Sequence, residues 1–260
     1  MKKALSIMHM SHMAWVDFRK EWMSWLLLMI TGNVILGLLT VGVYYCMPER
    51  FENVADMIAT FFSAIYTAIL YQNGLDVVYG RKLSFAIISR QILLASLFFF
   101  VVMLSYNPFF IPEYSETIFF FLPEEFAFFM FINFIVHLAI FYFILRFVFV
   151  PMILLHEKIN ILDAFRKSFA LTAHHIIFIF MLFTYLIFAL ALTMLITYLP
   201  AMLYNLGLIN YDMMSDSAST IGSLLGSAYL IIAFMGHFAV VAYSILMKSL
   251  AFKQLNAIAK

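Results

Sequence analysis

Between residues 23 and 247 the chain alternates long apolar runs with short segments that hold most of its charge. The runs lie near residues 23–46, 55–78, 85–106, 126–153, 174–203 and 221–247. Each is long enough to cross a hydrocarbon core, which takes about 20 residues of helix. None shows the two-residue alternation of a membrane strand, and backbone in hydrocarbon must find its hydrogen-bond partners within its own segment. The pattern therefore predicts an all-α polytopic membrane protein with about six transmembrane helices. Gln72, Asn73 and Asp76 interrupt the second run, and Arg90 and Gln91 the third.

The stretch from Arg146 to Ile176 organises the rest. An apolar run ends there at Arg146 and Pro151, a short basic segment follows, and a second apolar run begins. It reads as a helix leaving a membrane, an amphipathic helix on the surface, and a helix re-entering. Leu162, Phe165 and Phe169 fall on one helical face, Lys158, Arg166 and Lys167 point elsewhere, and Asn160 with Asp163 three residues later predicts an N-cap. Near the N-terminus Trp15, Phe18 and Trp22 are spaced like one helical face beside Arg19 and Lys20, predicting an interfacial helix that runs into the first span. These residues superpose without a gap on Leu162, Phe165, Arg166, Lys167 and Phe169, a short match consistent with a repeated helix-entry unit. Three parts follow: an interfacial segment 1–22, a six-helix transmembrane domain 23–247 and a tail 248–260, both ends being cytoplasmic.

Composition agrees. Hydrophobic residues make up 65% of the chain and charged residues 11%, with a mean hydropathy of +1.01, which excludes an ordinary soluble domain. The single cysteine, Cys46, has no partner for an internal disulfide. A net charge of +1 without any long basic run leaves no footprint for nucleic acid. Of fifteen Lys and Arg residues, all but Arg50 fall on one side of the predicted spans, and by the positive-inside rule that side is the cytosol. The opposite segments carry Glu49, Glu52, Glu113, Glu116, Glu124, Glu125, Asp212 and Asp216. The longest outer loop, residues 107–125, reads as a solvated acidic loop lying partly in the interface.

Few residues offer chemistry. Asp76 and Arg90 are almost equally far from the turn at residues 82–83, so a helical hairpin would set them at similar depth as an ion pair, either a structural clamp or a gate. With Gln91 and Arg146 they are the buried polar and ionic candidates. His137 and His237 sit at comparable depths on spans of the same direction, where facing imidazoles would hold a haem or a metal, Asn133 orienting the first. Histidines that merely bond a neighbouring helix are the commoner arrangement. Gly222 and Gly226, flanked by Ser219, Ser223 and Ser227, form a GxxxG contact face that serves the bundle or a second subunit. The chain holds no nucleophile–base motif, phosphate-cradling glycine loop or HExxH, so the expectation is a protein that is not an enzyme and carries no cofactor.

The motif Arg146-Phe-Val-Phe-Val-Pro151, followed by Ala164-Phe-Arg-Lys-Ser168 and an apolar run, resembles the signature of a poorly characterised bacterial family. Residues 135–190 carry most of the resemblance and residues 74–84 less. Six spans recur in that family, either as a free-standing inner-membrane protein or as the membrane domain of glycerophosphodiester phosphodiesterases. The resemblance implies a multi-pass protein of the bacterial cytoplasmic membrane and, with the chain ending at Lys260, no phosphodiesterase activity. The expected role is non-catalytic association with lipids, with other envelope proteins or in an oligomer. Two alternatives are a permease-like transport subunit docking a cytoplasmic ATPase through the Asp76 region or the 162–169 helix, and a haem or metal protein using His137 and His237.

Overall fold

The structure, a computed structural model, describes residues 6–48, 51–81, 89–106, 135, 138–139, 141–205 and 219–259, with the side-chain surroundings of 52, 105–106, 196–205 and 219–234 outside that description. Seven helices are named here: α1 (Ile7–Cys46), α2 (Glu52–Val78), α3 (Arg90–Tyr106), α4 (Val150–Glu157), α5 (Ile161–Ala173), α6 (Ile176–Asn205) and α7 (Ser219–Ile258). Residues 141–147 are also helical, and no strand occurs among the described residues. Among the described residues four segments are long and apolar enough to cross a membrane: Ile7–Cys46, Asn53–Val78, Ile176–Leu195 and Met235–Ile258. The protein is an all-α polytopic membrane protein. The third predicted run corresponds to the shorter α3, and 12 of the 28 residues of the fourth lie outside the described residues.

The predicted boundary at residue 22 is not a break. No glycine or proline occurs between Ile7 and Thr31, and α1 runs unbroken for 40 residues, opened by Ser6, whose hydroxyl accepts the His9 amide at 3.4 Å. At 1.5 Å per residue such a helix is about 60 Å long, twice the roughly 30 Å hydrocarbon core. Its first turns lie across two other helices: Ser11 shares hydrogen bonds with Tyr185 of α6 at 3.2 Å and Tyr243 of α7 at 2.5 Å. The boundary at residue 247 is no break either. Helix α7 continues to Ile258, and Leu250, Ala251, Phe252 and Leu255 beyond it are buried.

Contacts fix the helix directions. Asn33 reaches Tyr66 and Tyr44 reaches Asp56, so α1 and α2 are antiparallel. Lys248 and Lys253 of α7 bond Tyr71 and the Val78 carbonyl of α2, so α2 and α7 run the same way. Glycine lets that last pair approach closely, because a Cβ on Gly74 would stand 2.5 Å from Ile245 Cγ2.

The packed centre is α4. The pyrrolidine ring of Pro151 removes a donor and crowds the preceding turn, and the helix through 141–147 gives way to a turn at 148–149. Every residue from Val150 to Leu155 is buried. Helix α4 packs on α2, α3 and α5, and Phe149 just before it meets Phe252 of α7 at 5.9 Å between ring centroids. Lys158, in the left-handed conformation at φ 57°, ends α4, and Asn160 opens α5 by accepting the Asp163 amide at 2.8 Å, the N-cap read from sequence. By contrast Leu38, Val41 and Tyr45 of α1 and Ile177 and Phe188 of α6 are exposed, as suits residues whose solvent is lipid.

Candidate functional site

Asp76 does not pair with Arg90. Its carboxylate accepts from Arg81 at 3.4 Å and from Gln72 at 3.1 Å, while Arg90 is exposed at the start of α3. The reason lies in the helix end. Gly80, at φ 72°, stops α2, and the Gly80 amide bonds the Val77 carbonyl while the Arg81 amide bonds the Asp76 carbonyl. This Schellman closure folds Arg81 back over the carboxylate five residues earlier, and the hairpin symmetry that matched Asp76 to Arg90 never acts. Gln91 is half-buried on α3, and its side-chain oxygen is buried without a hydrogen-bond partner.

Arg146 holds α5 in place. Its guanidinium donates to the Tyr142 hydroxyl at 2.9 Å and the Thr172 hydroxyl at 3.4 Å, and it lies 4.2 Å from the Phe169 ring centroid. Its carbonyl, near the break before Pro151, accepts from Ser168 at 2.9 Å and Thr172 at 3.3 Å, which supplies the partners that a helix end lacks. Helix α5 accordingly buries its small and hydroxylated face, Ala164, Ser168, Leu171 and Thr172, and turns Leu162, Arg166 and Phe169 outward. Phe165 is half-buried between them. Lys167 reaches Glu157 of α4 at 2.5 Å, a partner that sequence spacing did not indicate because the left-handed Lys158 intervenes. Replacing Ser168 by Ala together with Thr172 by Val is expected to speed amide exchange within α5 about tenfold while the α4 amides keep their protection, equivalent to roughly 1.4 kcal/mol for the hydrogen bonds lost.

At the same end Tyr79 stacks on His156 with ring centroids 4.3 Å apart. Burial first, and then the charge of Glu157, hold its phenol above the ordinary value, against the opposing pull of Arg81. It stays protonated at neutral pH and is no candidate base. Lys253 donates to the Val78 carbonyl at 2.7 Å, a cation at the C-terminus of α2. Asp17, Lys20, Glu21, Arg81 and Lys253 line a cavity of about 530 Å³ in which charges of both signs offset one another.

A second cavity, of about 610 Å³, lies among α3, residues 143–151 and α5. Its walls are almost wholly apolar, Phe98, Phe99, Val102, Phe147 and Phe165 among them, and among the described residues Lys248 brings the one charged side chain. The ammonium donates to the Tyr71 hydroxyl at 3.0 Å and stands 5.4 Å from the Phe183 ring centroid. Sequence reading ended the last span just before Lys248. The helix and its protein-facing side continue past that point, and the signal is the run that follows, Ser-Leu-Ala-Phe, which keeps the helical apolar face going to Leu255.

His137 lies outside the described residues, and His237 is half-buried on α7. Among the described residues no three His, Cys, Asp or Glu side chains gather as a metal site. Gly222 and Gly226 are helical in α7, and their side-chain surroundings lie outside the described residues. Glu113, Glu116, Glu124 and Glu125 lie outside them as well. Comparison with known protein families, with characterised proteins and with solved structures finds no match for this chain in any of the three.

Proposed function

We propose that this is a non-catalytic multi-pass protein of a bacterial cytoplasmic membrane, with α5 on the cytosolic side, whose surface helices associate with lipid and with neighbouring envelope proteins. The observation that carries the reading is the inversion of α5. Its small residues face the protein, while the bulky apolar Leu162 and Phe169 and the cationic Arg166 face outward. A helix that held only its own bundle together would bury Leu162 and Phe169. One that serves a membrane surface sinks them into the acyl boundary and keeps its cations at headgroup level. Lys158 is exposed just before it, and juxtamembrane cations of this kind draw anionic lipid at about 1 kcal/mol each.

The test is composition. Extracted with its surrounding lipid in polymer-bounded particles, the full chain is expected to carry severalfold more anionic lipid than the bulk membrane, and the Lys158→Gln/Arg166→Gln variant to lose that enrichment. Lipid of bulk composition around the wild-type chain, with no reproducible protein companion, would remove the proposal.

A further inference from the structure

We infer that the cavity beside Lys248 binds one anionic membrane phospholipid, an acyl chain lying among its phenylalanines and the phosphate resting at the Lys248 ammonium. The inference builds on the proposed lipid association and assigns it a discrete, stoichiometric site.

Three observations converge on that occupant. The first is the lysine's setting: it stands on a helix segment long and apolar enough to cross a membrane, where an ionisable group is costly and marks a ligand site unless matched. Among the described residues no carboxylate comes within ion-pair distance of it, since the ion pairs there join Asp76 to Arg81, Asp163 to Arg166 and Glu157 to Lys167. An ammonium has three donors, and the structure shows one of them used, on Tyr71. A phosphate takes up the remaining donors and supplies the missing charge, and lysine meets phosphate as a point charge without the fixed fork of arginine.

The second is the cavity's shape and lining. At about 610 Å³ it falls in the roughly 300–1,000 Å³ range of ligand sites, and its walls leave an occupant little but apolar contact. A soluble anion has nothing to gain from those walls; an acyl chain does. The third is access. Leu97, Val101 and Phe143 at its margin are exposed side chains on helices whose surroundings are lipid, so a lipid enters sideways without crossing water.

The test uses the purified full-length protein in a neutral detergent, titrated separately with phosphatidylglycerol and phosphatidylcholine of identical chains and read by native mass spectrometry. Wild type is expected to hold one phosphatidylglycerol at least tenfold more tightly than phosphatidylcholine. Lys248→Gln should bring the two within about twofold of each other, and Lys248→Arg should restore most of the preference. Val102→Trp, which fills the cavity, should weaken both lipids. The Lys158→Gln/Arg166→Gln variant should keep the single tight lipid even where the broader enrichment is lost, so the two proposals fail separately. Equal affinity of wild type for both lipids, a preference that survives Lys248→Gln, or unchanged binding by Val102→Trp would each overturn the assignment. Should Lys248→Gln fail to fold, Val102→Trp and Lys248→Arg decide.

Discussion

Phe149→Ala is expected to destabilise the protein by about 3 kcal/mol, the low end of the range for removing a buried phenylalanine. Phe149 is fully buried, precedes the buried helix α4, and packs its ring on Phe252 of α7, so it joins the centre of the bundle to its last helix. The low end applies because the unfolded reference for a membrane protein is itself in lipid. A phenylalanine released there finds other apolar neighbours, and the loss is mainly that of packing contacts around a cavity that cannot close. Phe188→Ala on α6, where the residue is 68% exposed, should change stability by under about 0.5 kcal/mol. The pair is measured by reversible unfolding in mixed micelles. Equal effects at the two positions would mean that α4 is not the centre of packing.

Gly74→Ala is expected to cost about 2 kcal/mol, within the usual range for overpacking. The added Cβ would stand 2.5 Å from Ile245 Cγ2 and 3.1 Å from Ser249 Oγ, with the Ile245 carbonyl carbon at 3.8 Å behind them, so the two helices must part or Ile245 must leave its rotamer. Ile245→Ala removes the colliding methyl. In the double variant Gly74→Ala/Ile245→Ala the combined cost should fall below the sum of the single costs by about 1 kcal/mol or more, the non-additivity expected of residues in contact. Additive costs would place the clash elsewhere.

Which features were legible in the sequence follows from their range. The all-helical fold and the Asn160 cap rest on periodicity and on residues three apart, and both appear as read, whereas four of the six predicted spans are long and apolar enough to cross a membrane among the described residues. The Pro151 break appears as well, because proline acts on its own turn whatever surrounds it. Asp76 was assigned the wrong partner because hairpin symmetry assumes two ideal rods, whereas Gly80 folds the chain back within five residues. That Lys248 meets Tyr71 and that a buried face continues to Leu255 could not be read from the sequence, because both depend on α2 lying alongside. The outward turn of Leu162 and Phe169 is a tertiary fact: amphipathicity shows that a helix has an apolar face, and only the Ser168 and Thr172 bonds to Arg146 show which face meets the protein.

The orientation of α5 is the claim on which the functional reading stands, and the single Cys46 makes it directly measurable. In a Cys46→Ser background, spin labels placed one at a time at Leu162→Cys, Phe169→Cys and, on the exposed flank away from Phe165, Asp163→Cys in lipid bilayers report their exposure to oxygen dissolved in the acyl region and to a water-soluble nickel chelate. The account predicts that positions 162 and 169 respond to oxygen and position 163 to the chelate. Chelate access at 162 and 169 equal to that at 163 would contradict it.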